Sequence, residues 1–262
     1  MPPLRLALWT TSLLGIGLGV AAGWGAPPSL ALALAAFVAH ATLATTGVLL
    51  PGLRMFGDVY ARGPSGRPEM ALTFDDGPHP ESSRRVLELL RQHGARATFF
   101  VLGSKALRYP EVVREIAAAG HAVGVHGHEH DRLYALRSAR FVTRDLERAR
   151  AAIEAATGVR PTLFRPPVGF VSPGVAVAAE RAGLVLVGWS ARTLDGRGQS
   201  RPERVLARAT AALGSGAILV LHDAAERDDH VPASLAVLGE LLERLHACGL
   251  RAVTVDALRR PD

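Results

Sequence analysis

Between Leu6 and Leu53 the chain carries no Asp, Glu, Lys or Arg, and beyond that point charged positions are frequent. The apolar stretch falls into two blocks, residues 6–24 and 30–50, separated by Ala26-Pro27-Pro28-Ser29. Each block is close to the roughly 20 residues that carry a helix across a bilayer. The pattern predicts a transmembrane helical hairpin with Pro27-Pro28 at its tip. Gly15, Gly19 and Gly23 lie four apart, a small-residue stripe that would let a second helix approach, with Ala31, Ala33, Ala35 and Ala36 facing it. The competing reading is a cleaved signal peptide followed by a single anchor; against it, Arg5 is the one charge at the start and no cleavage site stands out.

Pro51-Gly52 ends the second block, and the glycine- and proline-containing residues 54–68 read as a linker. From residue 69 the period changes. Short apolar runs at 71–74, 97–101, 121–126, 163–165, 184–189, 217–221 and 252–255 read as strands. They alternate with amphipathic helices at 82–93, 110–119, 139–157, 172–182, 202–213 and 233–247. Val86, Leu87, Leu89 and Leu90 make the inward stripe of the first of these, Gly120 closes the second, and Ser138 and Gly158 bracket the third. Such alternation argues for an α/β fold with a parallel sheet, open or closed into a barrel. The expected layout is a membrane segment at 1–53, a linker at 54–68 and one main domain at 69–258.

Charge narrows the partners. The net charge is +6, and nearly all the positive charge is arginine, Lys105 being the single lysine. The arginines are dispersed among Glu and Asp along the helices, and no basic run interleaved with aromatics occurs, so nucleic acid is not an expected partner. Arg5 before the hairpin and Arg54 and Arg62 after it favour a cytoplasmic position for both ends. So small a bias leaves the side of the main domain open. Cys248 is the only cysteine, which excludes an intramolecular disulfide and a cysteine-based zinc cluster.

The chemistry gathers at the strand ends. The first domain strand runs into Thr73-Phe74-Asp75-Asp76-Gly77-Pro78, the third into His126-Gly127-His128-Glu129-His130, and the fourth into Arg165-Pro166-Pro167-Val168-Gly169. Asp195 follows the fifth, and His222-Asp223 ends the sixth. Asp-Asp-Gly-Pro alone is also an ordinary polar turn. Ionisable residues at the ends of successive strands, with apolar strand interiors, are instead the layout of a parallel barrel's active site. Adjacent side chains on an extended strand point to opposite sides, so Asp75 and Asp76 can take different jobs. His126 and His130, four apart, would share a face of a helical turn, with His128 as the alternative ligand. Two His and one Asp leave a position open for water, as in catalytic zinc sites. His93, His230 and His246 read as surface residues and His121 as structural.

These motifs, in this order, resemble those of the polysaccharide deacetylases of carbohydrate esterase family 4, the NodB-homology domain, over about residues 69–258. The resemblance implies a distorted (β/α) barrel. It implies Asp75 as general base, His222 as general acid, Arg165 orienting the base and Asp195 as the acidic partner of His222. Asp76, His126 and His130 would hold one divalent metal, zinc first, with cobalt, manganese or nickel as alternatives. The metal would polarise the acetamide carbonyl, and a backbone N–H near Val168 would help hold the oxyanion.

Three positions depart from the family pattern. Gly127 stands where Ser or Thr is common, Val168 where an aromatic is common, and Arg192-Thr193-Leu194-Asp195-Gly196 keeps one acid of a motif that usually has two and a Trp. The reaction machinery is therefore complete while the walls that would hold a polymer are thinner. The expected function is metal-dependent removal of N-acetyl groups from an amino-sugar glycan such as peptidoglycan or a chitin-like polymer, by a membrane-tethered hydrolase. The alternatives are deacylation of a lipid-linked amino sugar, deformylation included, or glycan binding without catalysis. The sequence says nothing about oligomeric state.

Overall fold

The computed structural model describes residues 3–260. Two helices, α1 (Pro3–Gly23) and α2 (Leu30–Leu49), form an antiparallel hairpin. Both are long and apolar enough to cross a membrane, by length and composition. Their outer faces are uncovered, with Leu13, Ile16, Phe37 and Val38 all exposed. The helices meet on another face than the glycine stripe predicts: a Cβ at Gly15, Gly19 or Gly23 would touch nothing within 4 Å. Ala33 and Ala36 turn inward, whereas Ala31 and Ala35 are exposed. The rotation brings Thr11 Oγ1 to 3.0 Å from His40 Nδ1, so the one strongly polar side chain of α2 is satisfied between the helices rather than left in an apolar medium.

The domain elements follow as β1 (Val59–Tyr60), β2 (Glu69–Asp75), α3 (Ser82–Gln92), β3 (Thr98–Val101), α4 (Gly103–Arg108), α5 (Pro110–Ala118), β4 (Ala122–Val125), α6 (Ala139–Thr157), β5 (Leu163–Phe164), α7 (Pro173–Arg181), β6 (Val185–Val187), β7 (Ala191–Arg192), α8 (Pro202–Ala211), β8 (Ile218–His222), α9 (Ser234–Ala247), β9 (Arg251–Val253) and α10 (Val255–Leu258). The strand order is β1-β6-β5-β4-β3-β2-β8-β7, with β9 against the first half of β2, and every pairing is parallel. β6 pairs with β5, and three residues later β7 pairs with β8. The sheet thus curls back on itself through one irregular segment, giving a distorted (β/α) barrel. Residues 54–68, expected to link, carry the edge strand β1, in which Val59 is buried and registers with Leu186.

β2 is the central strand. Met70, Ala71, Leu72 and Phe74 are fully buried, as both faces of a parallel sheet require. Phe74 stacks on Phe99 of β3 at 5.1 Å, and Thr73 Oγ1 donates to the Leu219 carbonyl at 2.8 Å. α6 begins where Ser138 caps Phe141 N–H and ends at Gly158 in the left-handed region, φ 72°. Its buried face (Val142, Leu146, Ala149, Ile153) packs in the main core. The short elements β1, α4, β7 and α10 escaped the sequence pattern, because two to six residues are too few to show a period.

Candidate active site

All parallel strands point the same way, so the residues that follow them meet at one end of the barrel. A cleft of about 380 Å³ opens there, lined among others by Asp75, Asp76, His126, His130, Val168 and His222. Asp195 and Arg165 lie just beneath, both fully buried.

Strand alternation is not what separates the two aspartates. Asp75 ends β2, but Asp76 takes φ 70°, a left-handed conformation that redirects its carboxylate. The next residue leaves no room for a side chain: a Cβ at Gly77 would run into the Asp223 carboxylate. Asp223 in turn accepts a hydrogen bond from Ser83 at the start of α3.

His126 and His130 do not share a helical turn either. Residues 126–130 form a bend that starts at Gly127, φ 89°. That left-handed φ accounts for glycine at a position where the resemblance leads one to expect Ser or Thr. Asp145 of α6 shapes the bend, accepting from His128 N–H at 2.8 Å and from Tyr134 Oη at 2.8 Å. His128 faces away from the cleft and accepts from Arg148 through Nε2 at 2.9 Å, so it lies outside the metal-competent cluster. His121 accepts from Ala97 N–H between strands, a structural position as expected.

The bend carries the Nε2 atoms of His126 and His130 to 3.4 and 3.5 Å from Asp76 Oδ1. Asp76 Oδ1 is buried with no hydrogen-bond partner. One carboxylate oxygen and two imidazole nitrogens, mutually within 4.8 Å, fit a divalent metal, and a metal would satisfy the orphaned oxygen. The outer nitrogen of His126 is tied down, Nδ1 lying 2.8 Å from the Arg165 carbonyl, whereas His130 Nδ1 lies 3.2 Å from Glu226 Oε2 as a charge contact without a hydrogen bond. The His126 tether aims its Nε2 at a metal. Burial would raise the Asp76 pKa, but the close approach of the His126 ring, with charge from His222 and His130, holds it well below the carboxylate range. Burial outweighs the nearby carboxylates at His130 and lowers its pKa, which favours the neutral ring that a ligand needs.

Arg165 anchors the other aspartate. Its Nη1 donates to Asp75 Oδ1 and Thr73 Oγ1, each at 2.7 Å, and its Nη2 to the Gly188 carbonyl at 2.9 Å. The guanidinium lies 4.2 Å from the Phe100 ring centre, so its faces are covered as well as its edges. On the far side of the cleft His222 Nδ1 lies 3.0 Å from Asp195 Oδ1, and Asp195 Oδ2 accepts the His222 backbone N–H at 2.8 Å. Thr193 Oγ1 donates to the same carboxylate at 2.6 Å. Burial opposes a charged His222 ring, but the Asp195 carboxylate, aided by Asp76 and Asp75, overrides it and lifts the pKa to about 10. Asp195 is depressed although burial raises it, chiefly by the His222 charge.

Val168 lies on the rim in a left-handed conformation, φ 61°, rare for a β-branched residue and a place where strain is stored. Gly169 beside it takes φ 82°, and a Cβ there would overlap the Trp189 ring. Trp189, from the end of β6, therefore supplies an aromatic wall that the 192–196 motif lacks. Attention to ionisable groups passed over Trp189, the last residue of the 184–189 run, and attention to strand ends passed over Glu226. Glu226 stands four residues past His222, a spacing that was the available signal. Its loop is clamped by Lys105, whose Nζ donates to the Ala225 carbonyl and to Asp228 Oδ1, each at 2.6 Å.

The chain has counterparts among known proteins. Residues 62–187 match the family model described as polysaccharide deacetylase. The chain is 37% identical over 172 residues to a chitooligosaccharide deacetylase of a Bradyrhizobium species, covering 65% of this chain and 75% of the relative. It is 36% identical over 192 residues to the peptidoglycan-N-acetylglucosamine deacetylase PgdA of Listeria monocytogenes, covering 72% of this chain but only 38% of that protein. Among solved structures, the Bc1960 peptidoglycan N-acetylglucosamine deacetylase superposes with a TM-score of 0.71 at 27% identity, over 77% of this chain and 92% of that one. With the strand-end motifs, the curled parallel barrel and this similarity together, the chain belongs to the polysaccharide deacetylase family.

Proposed function

We propose that this protein is a metal-dependent N-deacetylase of amino sugars, held at a membrane by its N-terminal hairpin. What carries the reading is one cleft walled by three separate devices: the Asp76–His126–His130 cluster, the Asp75–Arg165 pair and the His222–Asp195 pair. The relatives named for peptidoglycan and chitooligosaccharide deacetylation supply the substrate class, an N-acetylated glucosamine unit.

Asp76, His126 and His130 would hold the metal, with zinc the first choice for this donor set and cobalt, manganese or nickel as alternatives. A divalent ion there supplies a Lewis acid for the acetamide carbonyl and makes water a better nucleophile at neutral pH. Asp75 takes the proton of the attacking water, its direction set by Arg165. The Val168 backbone N–H helps hold the negative oxygen of the tetrahedral adduct. His222, kept charged by Asp195, gives its proton to the departing nitrogen. The C–N bond breaks, acetate leaves with the water oxygen, and the free amine stays on the sugar.

Purified full-length protein should contain about one divalent ion per chain and release acetate from N-acetylglucosamine oligomers or from an N-acetylated amino sugar on a carrier. Release should vanish in Asp75→Asn and His222→Ala. A folded, metal-loaded protein that releases no acetate from any acetylated amino sugar would overturn the reading and leave glycan binding in its place.

A further inference from the structure

The catalytic cleft does not end at its own wall. A second cleft of about 420 Å³ lies behind Trp189 and Arg192, and both residues line the two clefts in common. Its other lining includes Leu49, Leu50 and Leu53 from the end of the hairpin and Gly188 from the barrel. Leu49 is the last residue of α2. A helix of this length covers the hydrocarbon thickness of a bilayer, so the second cleft opens where α2 would leave the membrane.

Hairpin and barrel are also joined beside the site. Val171 N–H, two residues past the Gly169 wall, donates to the Val48 carbonyl at 3.3 Å. Arg5 donates to the Met55 and Arg54 carbonyls at 3.0 and 2.8 Å, and Gly47 packs against Met55. The apolar end of the hairpin therefore sits at a set place next to the catalytic cleft rather than on a loose tether.

Charge completes the shape. Arg192 is exposed at the junction of the two clefts, Arg197 is exposed on the rim of the catalytic one, and neither has an acidic partner among the described residues. An apolar channel at membrane level, an unpaired cation at its inner end and an amino-sugar site beyond form a sequence of environments. It matches one kind of molecule: lipid chain, phosphate, sugar. Resting on the deacetylase reading above, we propose that the amino sugar reaches this site on a lipid phosphate. The chain lies against Leu49, Leu50 and Leu53, the phosphate meets Arg192, and the sugar passes Trp189 toward Asp75 and His222.

The test uses the full chain in phosphatidylcholine nanodiscs and a long-chain alkyl phosphate carrying a benzophenone on the chain. Photo-adducts should concentrate at residues 49–53 and 188–192, in the wild-type protein and equally in inactive Asp75→Asn. They should be competed by unlabelled alkyl phosphate but not by the matching alcohol or by phosphatidylglycerol. Arg192→Glu and, separately, Leu50→Asp should cut them at least about fivefold. Adducts spread along the lipid-facing sides of both helices, or unchanged in both variants, would overturn the proposal. So would competition by phosphatidylglycerol equal to that by alkyl phosphate, since that marks a headgroup contact. Turnover gives the second reading: kcat/KM for alkyl-phosphate-linked N-acetylglucosamine should exceed that for the water-soluble tetramer by at least about tenfold. Equal turnover of the two, without focused adducts, defeats the lipid-phosphate proposal and leaves the deacetylase reading standing. Focused adducts without acetate from either substrate do the reverse.

Discussion

The backbone carbonyl of Arg165 lies 2.8 Å from Nδ1 of His126, while the guanidinium of the same residue holds Asp75. One residue after β5 thus orients a metal-competent imidazole and the carboxylate proposed to take a proton. The main chain does the first job and the side chain the second, so a substitution at Arg165 separates them.

Arg165→Met keeps the carbonyl and removes the charge from a fully buried pair, leaving Asp75 uncompensated. Breaking such a pair costs about 3–5 kcal/mol. Urea unfolding should show that loss as a lower midpoint with an unchanged slope. Metal affinity should fall far less than activity, since His126 retains its tether; equal losses of both would count against this division.

Glu226 places a carboxylate oxygen 3.2 Å from His130 Nδ1, outside the cluster, and is itself paired with Arg132 at 2.8 Å. Loss of such an outer partner lowers metal affinity by about 10–100-fold. Glu226→Gln, titrated against a competing chelator, should show a drop in that range while the thermal midpoint of the metal-free protein barely moves.

Metal binding should strengthen as pH rises. Burial disfavours a charged His126, but Asp75 and Asp76 outweigh it and raise its pKa, so a metal must displace a proton there. Chelator competition between pH 6 and about 8 should give tighter binding at the higher pH. A flat profile would mean that His126 is already neutral.

His222 sets a second pH dependence. Its folded pKa, about 10, lies above the ordinary histidine value, so its pairing with Asp195 stabilises the metal-free fold at and below neutral pH. That stabilisation is lost as pH rises through about 10. Asp195→Asn should flatten this part of the stability profile. A cation held by Asp76 would weaken the pull of that carboxylate on the His222 proton. The alkaline limb of kcat should therefore fall between the ordinary value, about 6.5, and about 10. In Asp195→Asn the limb should move toward the ordinary value.

Gly169→Ala tests the rim. A methyl group there meets the Trp189 ring and adopts a φ of 82°. The cost at such a position is of order 1–3 kcal/mol. The Trp189 wall must also move, so a loss of kcat/KM larger than the loss of stability is expected. A variant with wild-type kinetics would show that Trp189 does not contact substrate.

Much of this protein was legible without coordinates, because local rules carried it. Apolar blocks of bilayer length marked the hairpin, the switch from continuous to alternating apolar runs marked the parallel sheet, and acids, histidines and an arginine at the strand ends marked the groups that meet in the candidate site. Ser138 and Gly158 predicted the ends of α6 to the residue, since caps depend on chemistry within one turn. Tertiary structure decided what depends on rotation and approach. α1 and α2 meet on the face where Thr11 and His40 hydrogen-bond, not along the glycine stripe. The Asp75–Asp76 split comes from the left-handed Asp76, and the convergence of His126 and His130 from the bend at Gly127. Glu226, Trp189 and the cleft running from Leu49 to Arg192 lie between segments far apart in the chain, and only the closing of the sheet brings them together. The sequence by itself determined the set of reactive groups, since residue type and strand-end position are local properties. Their orientation, and the route by which a substrate comes to them, arise from long-range packing that no window of neighbouring residues contains.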